Sequence, residues 1–214
     1  PRCWVWGTYT SNGRNWWPDD RGPKIYKAKS STASSGSSID PSVWDDLLGI
    51  SEGLLGGKSV SESLGGSSNQ FVFGIGDPNA DLMLIGEAPG EEEDIKGEPF
   101  VGRSGKLLNK ILAAIDMNRN DGVFITNVLK CRPPNNRDPL ASEIKEWEPY
   151  LISEIKIIKP KLIVALGKVS GNTLLKKDTS LKEMRESIHD YLGIPLKVTY
   201  HPAALLRNPN LKKD

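Results

Sequence analysis

The rhythm of apolar and polar positions changes near residue 70, and from there short apolar runs alternate with stretches of helical periodicity. FVFGIGDP reads as a short strand and turn, and DLMLIG as a buried strand. RSGKLLNKILAAIDM carries Leu107, Leu108, Ile111, Leu112 and Ile115 at helical spacing. VFITNVL predicts the next strand. DPLASEIKEWEPYLISEIKII predicts a long helix, with Asp138 as N-cap and Pro139 at the first helical position. Ile144, Trp147, Leu151, Ile155 and Ile158 form its buried stripe. KLIVALG predicts a strand followed by a short helix around Asn172 to Lys177, and LKVTYHPAALLR a strand running into a turn. Strands that alternate with helices predict an α/β fold of three layers, a parallel sheet with helices on both faces.

Residues 1–69 follow no such pattern. They hold Trp4, Trp6, Trp16, Trp17 and Trp44, the Ser/Gly-rich runs KSSTASSGSS and SESLGGSS, and one segment, PSVWDDLLGISEGLL, that suits a short helix. The Ser/Gly runs read as flexible linkers. The expectation is therefore a largely irregular N-terminal extension over 1–69 and a single folded domain over 70–214.

Composition narrows the class. The chain has 214 residues, 37% hydrophobic and 26% charged, enough for a substantial core. A net charge of +1 announces no global attraction to nucleic acid, although a local basic face suffices for one. No run of 18 apolar residues is present, so no membrane-spanning helix is expected. The opening PRCWVWGTYT has no apolar signal core. Two cysteines, Cys3 and Cys131, cannot build a disulfide framework or a four-thiolate metal site, and a reducing cytoplasm is the expected compartment.

Candidate chemistry collects at one edge. In a parallel sheet the carboxyl ends of all strands lie together, where ligands bind. Glu87 follows DLMLIG, Asn127 ends VFIT, Gly167 ends LIVAL and His201 follows KVTY, so four strands deliver polar or special residues to one crevice. Taken singly, each has a plain reading: GEAPG as a tight turn with solvated acids, Asn127 as a turn residue, Phe100 as core, RPPNNRDP as a surface loop, His201 as structural. Taken together, an amide offers a donor and an acceptor to a planar heterocycle, and an aromatic ring offers a stacking platform. Leu205-Leu206-Arg207 would suit insertion into a base stack beside a phosphate contact.

GEAPGEEED, GEPFVGRSGKLL, ITNVLKCRPPNNRDP and HPAALLRNP, in this order and spacing over about residues 70–214, resemble the uracil-DNA glycosylase superfamily. The closest likeness is to its thermostable iron–sulfur type, family four. The resemblance implies the parallel α/β glycosylase fold and hydrolysis of the N-glycosidic bond between uracil and deoxyribose, the first step of base-excision repair. It implies a pocket with Gly86, Glu87 and Ala88 from the first motif, Glu87 handling the attacking water and Glu93 lining the uracil site. Phe100 matches the aromatic that stacks on the flipped base, Asn127 the amide that reads uracil, and His201 the donor to uracil O2. Leu205, Leu206 and Arg207 match the segment that enters the minor groove. The implied partner is uracil-containing DNA, with no membrane, and the protein is expected to act as a monomer.

Two departures stand out. The family's [4Fe–4S] cluster takes four cysteines, yet only Cys131, in KCRPP, matches a ligand position, and Trp147 occupies the later one. No cluster is therefore expected. The chain also ends at NPNLKKD, where the family continues into a final helix, which suggests a fragment. The rival expectations are a catalytically weak reader of uracil or DNA, and an α/β enzyme acting on free nucleotides; the latter needs no Leu205-Leu206-Arg207 wedge.

Overall fold

The computed structural model describes residues 71–213, so the readings made above for residues 1–69, including Cys3, lie outside the described residues. Six strands form one sheet: β1 (Ile75–Gly76), β2 (Leu82–Gly86), β3 (Val123–Asn127), β4 (Leu162–Leu166), β5 (Ile188–Tyr191) and β6 (Ile194–Thr199), in the order β1-β3-β2-β4-β6-β5. The helices are α1 (Glu91–Lys96), α2 (Arg103–Ala113), α3 (Ala141–Ile158), α4 (Lys168–Leu175), α5 (Leu181–Glu186) and α6 (Pro202–Arg207).

The period of two along each strand divides the core. Met83, Ile85, Phe124, Ile163, Ala165, Leu196 and Val198 face one way, onto Trp147, Leu151 and Ile155 of α3, Leu174 of α4 and Met184 of α5. Leu84, Val123, Ile125 and Leu166 face the other way, onto Leu108 and Leu112 of α2 and onto Phe100. Because both faces are covered, the central strands read as unbroken apolar runs. Complete burial of each of the Val, Leu, Ile, Phe and Met side chains contributes about 1.5–3 kcal/mol.

The three-layer α/β architecture is the expected one, with a mixed sheet. β2, β3, β4 and β6 are parallel, whereas the edges β1 and β5 run antiparallel to their neighbours. The β5–β6 hairpin was not legible. Its two-residue turn, Leu192-Gly193, has positive φ at both positions (57° and 79°), which matches the twist of the flanking strands. Leucine is an unusual residue there, so the sequence lacks the ordinary turn signal.

Four local expectations are corrected. The long helix begins at Ala141 with Leu140 as N-cap, not at Asp138, because Glu143 accepts the Leu140 N–H (2.8 Å) and pairs with Arg137 (2.6 Å). The helix read over RSGKLLNKILAAIDM ends at Ala113, so Ile115 (58% exposed) lies beyond it, and on α2 itself Leu108 and Leu112 are buried while Ile111 points to solvent (39% exposed). The helix after β4 starts at Lys168 rather than near Asn172, capping the strand directly. HPAALLR is a helix, not a turn: Pro202 occupies the first turn and the His201 ring caps it.

Candidate active site

Strand register brings the expected residues together. Gly86 and Asn127 are directly paired at the ends of β2 and β3, and Leu166 and Thr199 at the ends of β4 and β6. Asn127 is buried, with Oδ1 beside Gly86. The Phe100 ring comes down over the same glycine, and its centroid lies 5.6 Å from the His201 ring at a tilt of 34°. A Cβ on Gly86 would collide with Asn127 Oδ1 and approach Phe100 Cζ to 2.6 Å. Glycine is needed here for close approach, not for an unusual φ. Asn127 and Phe100 thus meet at Gly86, and His201 lies against the Phe100 ring and beside Gly167, while Ala88 packs with the core on the α3 side.

His201 has a defined protonation state. The Ala203 N–H donates to His201 Nδ1 (3.1 Å), so that nitrogen carries the lone pair and the ring proton resides on Nε2. Burial, reinforced by Arg207 and opposed by Glu93, lowers its pKa to about 4. The ring is neutral near pH 7 and presents one N–H donor. Glu87 is shifted the opposite way. Burial, with the Asp138 charge adding to it, raises its pKa to about 7, where a carboxyl group exchanges protons readily.

The crowd of acids after GEAPG is the first turn of α1, where Glu91, Glu92, Glu93 and Asp94 meet the positive end of the helix dipole. Glu92 pairs with Lys96 on the surface (3.4 Å), and Glu91 lies 3.9 Å from Arg132. Glu93 turns inward, and its Oε1 accepts the N–H groups of Val101 (2.8 Å) and Gly102 (2.9 Å). On α6, Leu205 and Leu206 are half-buried and Arg207 is exposed beside them. α6 packs on α2.

Two groups escaped sequence reasoning. Arg119 donates to the carbonyls of Phe100 (3.0 Å) and Pro99 (2.6 Å) from a loop with no periodic signal. Lys130 is completely buried and donates to Glu154 Oε2 (2.6 Å), Thr126 Oγ1 (2.6 Å) and the Asn127 carbonyl (2.9 Å). Desolvation pulls the Lys130 pKa down, and Glu154 opposes it. A signal for this pair did exist: Glu154 lies on the apolar stripe of α3 between Leu151 and Ile155, where a carboxylate needs a cation.

Cys131 is buried in the same core cluster as Phe71 and Trp147. Trp147 packs edge-on against Phe71 (5.6 Å, 69°) and beside Tyr150 (5.9 Å). An indole offers only an N–H donor and cannot ligate iron. Among the described residues no three His, Cys, Asp or Glu side chains form a group that could hold a metal ion. The residues present do not fit a four-thiolate cluster.

The chain is similar in sequence to known proteins. The model of the uracil DNA glycosylase superfamily matches residues 73–214. The chain is 41% identical over 156 residues to a type-4 uracil-DNA glycosylase of Archaeoglobus fulgidus, covering 69% of this chain and 78% of that one. It is 47% identical over 150 residues to a type-4 uracil-DNA glycosylase of Sulfurisphaera tokodaii, covering 66% and 68%. A type-5 uracil-DNA glycosylase of Pyrobaculum aerophilum is 31% identical over 146 residues.

Proposed function

The chain belongs to the uracil DNA glycosylase superfamily, and on that premise we infer that it is a DNA N-glycosylase that removes uracil from DNA in base-excision repair. The observation that carries this reading is the chain of contacts at the strand ends, where a buried amide and an aromatic ring meet at Gly86 and a neutral histidine donor lies against that same ring. A base inside a duplex cannot reach such a site, so the nucleotide must leave the stack, at a cost of a few kcal/mol. Leu205 and Leu206 fill the gap it leaves, and Arg207 holds a phosphate. The extruded ring stacks on Phe100. Asn127 reads its edge with one donor and one acceptor, a pattern that cytosine presents reversed.

Cleavage leaves uracil as an anion and the sugar as an oxocarbenium-like cation. His201 Nε2–H donates to O2 as charge develops there; a single preorganised donor of this kind supplies about 3–4 kcal/mol. A neutral imidazole suits the task because it needs no counter-ion before the bond breaks. On the opposite face Glu87, ionised above its raised pKa of about 7, orients the attacking water and takes its proton. Its charge also faces the sugar cation. The buried Lys130–Glu154 pair anchors the Asn127 carbonyl, so the reading amide stands on a fixed strand end.

Among the described residues no helix is long and apolar enough to cross a membrane. Action as a monomer in the cytoplasm is part of the same proposal. The test is incubation with a uracil-containing oligonucleotide followed by alkali. Strand cleavage at the uracil, with none at thymine or cytosine, is the expected result. Binding without cleavage by the folded protein would overturn the enzyme reading in favour of a uracil-binding one.

A further inference from the structure

Phe100 stands in an uncomfortable place. Its φ is 53°, in the left-handed region that a phenylalanine rarely occupies. The loop around it does not relax, because four consecutive residues are held by two side chains. Glu93 Oε1 accepts from Val101 N and Gly102 N. Arg119 reaches in from the far side, after α2, and spends both terminal nitrogens on the carbonyls of Pro99 and Phe100. Gly105 presses from below, since a Cβ there would collide with the Phe100 carbonyl. The ring fixed by this arrangement meets Gly86 and faces His201.

We propose that Arg119 and Glu93 act as a paired clamp on Pro99 to Gly102, holding the Phe100 ring at the angle at which the flipped base stacks. Both are positioning residues. Glu93, which the resemblance places at the uracil itself, acts on the base through the loop. The guanidinium is the right group for two neighbouring carbonyls, since its planar fork presents two donors at once, whereas a lysine ammonium reaches them less rigidly. The inference rests on the glycosylase reading, because the loop needs this precision only if a base stacks on the ring.

The experiment compares wild type, R119A, R119K, F100A and R119A/F100A on a uracil-containing duplex under single turnover. Binding of a uracil-free duplex and inhibition by free uracil are measured alongside. R119A should slow excision about 10–100-fold, as a misplaced binding surface does. Inhibition by uracil should weaken, while affinity for the uracil-free duplex stays within about twofold. If Arg119 works through Phe100, R119A should cost less than about twofold in the F100A background. Full loss in that background, or R119A behaving as wild type, overturns the clamp. Should R119A fail to fold, R119K, which keeps the charge and disturbs the fork, carries the same comparison in both backgrounds. A wild-type protein that excises no uracil overturns the glycosylase reading instead, and the clamp with it.

Discussion

Glu87 makes the sharpest demand on experiment. Burial raises its pKa from 4.5 to about 7, and the Asp138 charge pushes in the same direction. In the proposed role the water-activating form is the carboxylate, so excision should rise with pH rather than stay flat. With a pKa of about 7, about one-tenth of the molecules carry ionised Glu87 at pH 6 and about nine-tenths at pH 8, close to a tenfold gain in rate. Single-turnover excision across pH 5.5 to 8.5, on a duplex with one uracil, measures this directly. Glu87→Gln should remove the rising limb and slow the reaction about 100-fold, the scale of a positioned base. Asp138→Asn removes the second cause, so the midpoint should move to lower pH while the plateau holds. A rising limb that persists in Glu87→Gln would show that another group titrates. An unmoved midpoint in Asp138→Asn would refute the contribution of the Asp138 charge and leave burial as the cause of the shift. The same shift bears on stability with the opposite sign: a carboxyl whose folded pKa exceeds its unfolded value costs stability as pH rises from 4.5 to about 7.

Three further outcomes are expected. Gly86→Ala places a methyl group against Asn127 Oδ1 and the Phe100 ring, so the excision rate should fall at least about tenfold with duplex affinity retained; steady-state and binding assays separate the two. Lys130→Met strands the Glu154 carboxylate in the core and should lower unfolding free energy by about 3–5 kcal/mol, most of which the double variant Lys130→Met/Glu154→Leu should restore, as read by denaturant titration. His201 has a folded pKa of about 4 against 6.5. Below pH 6.5 the unfolded chain therefore takes up a proton that the native ring refuses, and stability should fall toward pH 4 by at most about 3 kcal/mol, a loss absent from the corresponding window in His201→Gln melts.

Apolar runs of about five residues alternating with helical periods are enough to specify the layered sheet, because each run must bury both faces and each crossover must return the chain in parallel. That local rule also carries Glu87, Asn127, Gly167 and His201 to one edge, since parallel strands share their carboxyl ends. The His201 cap and the acidic first turn of α1 are local as well, yet HPAALLR and GEEED are too short for a helical period to show, and both read as turns. What the sequence alone left open depends on proximity through space. Glu154 and Lys130 meet across 24 positions, and Arg119 reaches the Phe100 loop across 19. Asp138, which local signals place at a helix cap, acts instead on Glu87. The direction in which Glu87 and His201 titrate follows from the water each one loses, and desolvation is a property of the assembled site. No single residue carries that information. A sequence pattern determines which face a side chain takes; only the packed structure decides what it meets there.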